Sequence, residues 1–477
     1  RTAPAGFTSV APIAEYTHSD GEAIIGGDVF RGSGFSSLVG KFVFGDLGGV
    51  ASNTIGRLFY TDAAGGTVSE FNYDSSGITP GANLYGVTNG PNNELYALFS
   101  NGAIVSLTAG IFTTQWNLST GSTWGTAGNW TNGLPTPQAS HANFLASPGV
   151  TTASIVTLDG NRTVGQITFN NANGYTIAQG SGGTLTIDDS NDAGGVNPLV
   201  NVIAGSHTIS APISLLNGLS ISAASGTAIN ITGSISGTGS LTRNAGTGVL
   251  TIGGKMSITG NVNANGPLNF GGNTSTAALT HTFAGLNVGP GVTVIANTSA
   301  NAFVPTVLHG ITLSFGDSTA KIDLKNNELQ STMTLAQIEN FLFGSPAHIV
   351  TTTGGPGELG YADTGGGVTE VRYTLPGDTN LDGTVDVGDL GALATNYGSS
   401  SGVAWQQGDF DHSGVVNVGD LGALATSYGN SIGTGPADAS ATSTTAAAAV
   451  PEPTAGALML AGAAALLRRR SRHHLLK

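Results

Sequence analysis

The chain contains no cysteine at all. That excludes disulfide scaffolds, thiol catalysis and cysteine-based zinc or iron–sulfur centres. It does not assign a reducing compartment, because exported proteins can take their rigidity from calcium and large β-structures instead. Charge is scarce too: charged residues make up 9% of the sequence, against about 25% in ordinary domains. Low charge alone could point to a membrane, yet no interior apolar run approaches the roughly 20 residues of a spanning helix. No basic stripe is present, which argues against a nucleic-acid partner. Disorder is a poor reading as well, since Val, Ile, Leu and Phe recur throughout in short alternating stretches.

Glycine is abundant, with 74 among 477 residues. Together with Asn, Thr and Ser it punctuates many short apolar segments, so the pattern predicts a mainly β chain with tight turns. The length suggests about three domains. The net charge of −14 is unevenly spread: residues 376–430 hold seven Asp and no Lys or Arg. Ordered carboxylates concentrated in one place call for a cation.

Residues 1–110 carry strand signals such as Lys41-Phe42-Val43-Phe44, Arg57-Leu58-Phe59-Tyr60 and Glu94-Leu95-Tyr96-Ala97-Leu98. The run Ala14-Glu15-Tyr16, His18 and Gly21 to Gly32, with Gly40 to Asp46 and Gly56 to Tyr60, resembles the glucose/sorbosone dehydrogenase family. The resemblance implies closing blades of a six-bladed β-propeller, a fold some of whose members oxidise sugars with pyrroloquinoline quinone. At about 45 residues per blade, 110 residues supply two or three blades. The chain begins with Arg1 rather than Met, so it is expected to be the C-terminal part of a longer protein. A quinone would be implied only if the missing blades exist. His18 and Arg31 are motif residues of that stretch, and no catalytic role is carried onto them.

Residues 111–375 change texture. Trp116, Trp124 and Trp130 are three of the four tryptophans. They precede segments such as Thr163 to Phe169, Gly183 to Ile187, Gly233 to Thr242 and Gly248 to Ile252. Strands this short with glycine at nearly every turn suit a β-solenoid, a stacked parallel β-helix, with a β-sandwich as the alternative. The segments Gly237-Thr238-Gly239-Ser240-Leu241-Thr242 and Gly248 to Gly254 resemble the β-strand repeat associated with autotransporter passengers. Leu335, Ile338 and Leu342 have helical spacing, predicting one helix over Thr334–Phe343 near the end of the solenoid.

Two loops follow. The first runs from Asp378 to Asp389, with oxygen-bearing side chains at Asp378, Asn380, Asp382, Asp386 and Asp389 and a backbone carbonyl expected from Thr384. The second starts 31 residues later and offers Asp409, Asp411, Ser413, Asn417 and Asp420, with the carbonyl of Val415. Calcium takes six to eight hard oxygen ligands at about 2.3–2.6 Å, which alternate side chains of a tight loop can supply. Gly383 and Gly414 occupy the sixth position, where a sharp left-handed turn is needed. Val385 at the eighth position should face the core. The neutral oxygen of Ser413 predicts that the second site is the looser one.

Each loop leads into the same helix start, Leu390 to Thr395 and Leu421 to Thr426. Leu390, Leu393, Ala394 and Tyr397 form one apolar face, so the two loop–helix units should pair with pseudo-two-fold symmetry. Residues 376–430 resemble type I dockerins. That resemblance implies a small α-helical domain binding two calcium ions and a cohesin partner read through the tenth and eleventh loop positions. Those positions are Val387-Gly388 and Val418-Gly419 here, where cellulosomal dockerins often have Ser-Thr. A calcium-stapled structural module is therefore as good a reading as a docking one.

Residues 431–450 are a Ser, Thr and Ala linker. Pro451-Glu452-Pro453, fourteen small or apolar residues and Arg468-Arg469-Arg470 follow, within 451–477. This order resembles the PEP-CTERM sorting signal of Gram-negative bacteria. It implies transient membrane anchoring, processing by an exosortase and a cell-surface location.

Catalytic arrangements are thin. His18, His141, His207, His281, His309 and His348 are scattered, and Asp188-Asp189 with Asp192 fit a glycosidase-like carboxylate pair or plain turns. No nucleophile elbow or phosphate loop is present. The expectation is a secreted structural or adhesive surface protein, with no catalytic constellation marked in this sequence and with extracellular polysaccharide or a cohesin-like scaffold as candidate partners. The alternatives are the C-terminal part of an exported sugar dehydrogenase and a cohesin-docked component.

Overall fold

The structure is a computed structural model. It describes residues 12–432 apart from 13, 16–21, 33–37, 48–55, 63–65, 72–77, 79–80, 92–93, 108–111, 136–139, 148 and 190–197. His18, Asp192, the linker from residue 433 and the whole tail, including Pro451, Glu452, Pro453, Arg468, Arg469 and Arg470, lie outside the described residues. Ser431 and Ile432, expected in the linker, instead bond to Thr384 and Gly383 of the first loop.

The N-terminal segment forms two antiparallel sheets. Ile24–Val29, Lys41–Asp46, Arg57–Asp62 and Ser69–Phe71 pair in sequence order, and Leu84–Asn89, Leu95–Phe99 and Ile104–Leu107 form a three-stranded meander. Alternation explains them: Val43, Leu58, Leu84, Leu95 and Ala97 are fully buried in a small core of their own.

The body is a parallel β-solenoid, and the sandwich alternative is excluded by its pairing. A nine-stranded sheet starts with Ser154–Thr157 and ends with Ile349–Val350, and every neighbouring pair in it is parallel. One strand per turn gives about nine turns. A central turn comprises Leu241–Arg243, Val249–Ile252 and Met256–Ile258, each a few residues long.

Stacking generates the core. Val156, Ile177, Ile209, Ile231, Ile252, Phe270 and Ala296 sit in register on successive turns. All are 0% exposed. Burying each large side chain contributes about 1.5–3 kcal/mol, and no single turn could bury its own inner face.

Both ends are closed. At the start, Trp130 packs edge to face on Trp116, Trp124 and Phe144, with Trp124 and Trp130 ring centroids 4.8 Å apart and Trp116 stacked on Phe144. At the far end lie α1 (Leu335–Phe343), capped by Thr334 with Gln337 in a reciprocal box, and the hairpin Glu358–Gly365 with Val368–Thr374. The hairpin turns the chain antiparallel against Glu328–Ser331. Beyond it are α2 (Val387–Asn396) and α3 (Val418–Ser427). Leu393 of α2 and Leu424 of α3, with Val385, Trp405 and Val416 from the segments before them, join the same continuous apolar core as the solenoid. Among the described residues, no helix is long and apolar enough to cross a membrane.

Candidate metal centre

The two acidic loops are built on one plan repeated 31 residues apart. In the first, the carboxylate of Asp378 accepts the backbone N–H groups of Asp382 (3.2 Å) and Gly383 (2.8 Å). In the second, Asp409 accepts those of Ser413 (3.0 Å) and Gly414 (2.9 Å). Asp389 accepts from Thr379 and Asp386, while Asp420 accepts from Phe410 and Asn417, all at 2.8–2.9 Å. The side chains of Asp386 and Asn417 cap α2 and α3 through Gly388 and Gly419. Each last loop residue therefore also closes a capping box, so the loop and the helix form as one unit. Gly383 and Gly414 take φ of +88° and +78°, the left-handed turn expected of the sixth position.

The units pair as pseudo-dyad mates. Val385 N–H donates to Asn430 and Gly429 N–H donates to Val385; Val416 N–H donates to Ser399 and Gly398 N–H donates to Val416. Val385 and Val416 are completely buried. The expected apolar face does not form as a whole: Leu393 is buried against Gly408 and Leu424 against Gly377, but Ala394 is exposed and Tyr397 is 53% exposed.

The loops differ in where their carboxylates point. Among the described residues, carboxylate oxygens of Asp409, Asp411 and Asp420 come within 4.8 Å of one another. In the first loop, Asp382 instead accepts the Asn380 side-chain amide at 2.8 Å and the Thr384 N–H at 2.9 Å. The Thr384 hydroxyl pairs with Ser431. In the second, Ser413 Oγ donates to the Val415 carbonyl at 3.1 Å and the Asn417 amide reaches it at 3.4 Å. Burial raises the pKa of Asp378 to about 6, opposed by hydrogen bonds from Thr374 and Gly383, with the nearby charges of Asp389 and Asp382 adding to the rise. Burial also raises Asp409, while a hydrogen bond from Ser413 lowers Asp411. Carboxylates gathered this closely, with Asp378, Asp389, Asp409 and Asp420 buried, are chemically suited to a hard divalent cation, whose charge would offset their repulsion.

The fourth positions face the solenoid. Leu381 and His412 both adopt left-handed φ, +58° and +56°. His412 stacks on Phe343 of α1 with centroids 3.6 Å apart. Leu381 lies beside Gly360 of the hairpin, and its carbonyl accepts from Arg372 at 3.1 Å. The same Arg372 donates to the Ala302 carbonyl at 3.2 Å. Trp405, between the loops, donates its indole N–H to the Asp378 carbonyl at 2.6 Å. Sequence reasoning passed over Trp405, Arg372 and His412. The one available signal was a lone tryptophan in a polar stretch between two helices.

The other candidates are separate. His207, His281, His309 and His348 bond to neighbouring backbone or amide groups. None belongs to a metal-ligating group among the described residues. Asp188 and Asp189 accept amides of Asn217 and Gln166.

No protein-family model, curated protein or solved structure matches this chain.

Proposed function

We propose that this chain is a secreted, surface-sorted structural or adhesive protein whose β-solenoid is clamped at its C-terminal end by a dockerin-like module holding two calcium ions. The observation that carries the reading is the loop plan repeated in register, with the first and last carboxylates of each loop (Asp378 and Asp389, Asp409 and Asp420) buried and both fourth positions seated on the solenoid end. Bound calcium would supply the positive charge that these acids lack. The ligands would be Asp378, Asn380, Asp382, Thr384, Asp386 and Asp389 in one loop, and Asp409, Asp411, Ser413, Val415, Asn417 and Asp420 in the other. Export from a cell delivers a protein to calcium, so the clamp would set after secretion.

Calorimetry of the whole chain with calcium tests this directly. The reading requires two binding events and a higher melting temperature, since ligand at 100 times its Kd adds about 2.7 kcal/mol. Absence of both heat and stabilisation overturns it.

The tail reading stands on sequence: an exosortase would remove the residues after Pro451-Glu452-Pro453. Mass spectrometry that finds Arg468, Arg469 and Arg470 retained in surface-extracted protein would count against it. The dehydrogenase reading draws support from the four-stranded antiparallel sheet in sequence order, the arrangement of one propeller blade. Recovery of upstream sequence with the remaining blades decides whether a quinone enzyme preceded the solenoid. Cohesin docking draws support from Val387 and Val418, each 71% exposed at equivalent loop positions.

A further inference from the structure

One outer face of the solenoid carries a groove of about 380 Å³. Its floor is a column of uncharged polar side chains on four successive turns: Thr242, Asn263, Asn287 and Ser314, aligned by strand register. Pro290 and Phe315 form an apolar side, and the exposed Asn265 lies in the adjacent column. No charged residue lines it.

The floor is internally bonded in one direction. Asn263 Nδ2 donates to Thr242 Oγ1 at 3.1 Å, Asn287 Nδ2 to Asn263 Oδ1 at 2.7 Å, and Ser314 Oγ to Asn287 Oδ1 at 2.8 Å. A primary amide has two N–H donors and two acceptor lone pairs. Each asparagine spends one of each on the ladder, which fixes its orientation and leaves one donor and one acceptor over. Stacked turns are about 4.8 Å apart. The groove therefore repeats an oriented, neutral donor–acceptor pair from one turn to the next, beside an apolar wall. A ligand matched to it is itself a repeat of neutral hydroxyls with apolar C–H faces. Anionic polymers, phosphates and cations would find no counter-charge there.

We infer that this groove binds a neutral polysaccharide chain, with the amides of Asn263 and Asn287 contacting successive sugar hydroxyls. The inference rests on the adhesive reading of the solenoid and is independent of the calcium loops.

Affinity electrophoresis of the full chain in gels containing hydroxyethyl cellulose, galactomannan or dextran, with alginate as the acidic comparison, tests it. Retardation is expected in at least one neutral gel. The Asn263→Ala/Asn287→Ala variant should bind at least tenfold more weakly, while Asn230→Ala, an outward residue of another sheet, should bind as the parent does. Thermal melts establish that each variant is folded. If the double variant does not fold, Asn287→Gln, which displaces one amide, must weaken binding alone. No retardation in any neutral gel, retention by alginate alone, or equal weakening by Asn230→Ala overturns the proposal. Calcium calorimetry on the same samples separates the two readings: calcium binding without retardation removes only the groove, and retardation without calcium heat removes only the clamp.

Discussion

The indole N–H of Trp405 donates to the backbone carbonyl of Asp378, 27 positions earlier, at 2.6 Å. Trp405 is fully buried and packs edge to face on Phe410 of the second loop, 5.1 Å between centroids. One side chain thus joins the first residue of one acidic loop to the second residue of the other.

Replacing it tests that joint. Trp405→Phe keeps most of the apolar volume and leaves the Asp378 carbonyl without its indole donor. An unpaired buried acceptor costs about 1–3 kcal/mol. Urea denaturation should show a loss of that size, and calcium titration should show both binding events weakened together. Weakening of one event alone would mean that Trp405 does not couple the loops.

Gly360 sits where the hairpin touches the module. A Cβ there would lie 2.7 Å from both Leu381 Cδ2 and Trp405 Nε1. Gly360→Val should therefore destabilise by about 1–3 kcal/mol through overpacking. The melting temperature of the calcium-loaded chain is the readout, and an unchanged value would show that the module and the hairpin separate freely.

His281 confers acid sensitivity on the solenoid. Burial lowers its pKa to about 4, and the Met256 N–H donates to its Nδ1 at 3.3 Å. The folded state thus holds it neutral, whereas the unfolded chain protonates it near pH 6.5. Its depressed pKa makes the associated stability fully present above pH 6.5 and progressively lost as pH falls towards 4, by roughly 3 kcal/mol. His281→Gln, which keeps an acceptor without a titration, should narrow the stability difference between pH 7 and pH 4.5. An undiminished difference would assign the acid sensitivity to other groups.

Arg243 lies fully buried between Ile221 and Ala264 in an inner column. Its guanidinium donates to the carbonyls of Ile221, Ala223, Asn244 and Gly248, the last two bracketing the turn that follows. Arg243→Ala should cost about 3 kcal/mol by leaving a cavity and unpaired carbonyls. Arg243→Met should cost less, because the stem volume remains. Equal losses in denaturant melts would show that packing contributes little at this position.

Much of the architecture was legible along the chain because its cause is local. Alternation of Leu185, Thr186 and Ile187, or of Leu250, Thr251 and Ile252, dictates short strands, and the glycines between them dictate turns. The helix at Leu335–Phe343 followed from three apolar positions and formed with Thr334 as its cap. Parallel stacking could be expected but not counted, since one strand in isolation does not specify its neighbour. The antiparallel hairpin of Glu358–Gly365 and Val368–Thr374 was not anticipated, although its Gly365-Gly366-Gly367 turn marks it.

The candidate site divides the same way. Twelve consecutive residues determine each loop by themselves: the acids, the left-handed glycine and the cap that starts the helix all act within a few positions of one another. Tertiary structure alone decided which carboxylates converge, that Leu381 and His412 turn towards the solenoid, and that Trp405 and Arg372 hold the module there. It also decided that Thr242, Asn263, Asn287 and Ser314 form one floor. Apart from the carboxylates within one loop and the Arg372–Leu381 bond, those relationships join residues 20 or more positions apart, and their energies come from stacking and burial that no local pattern encodes.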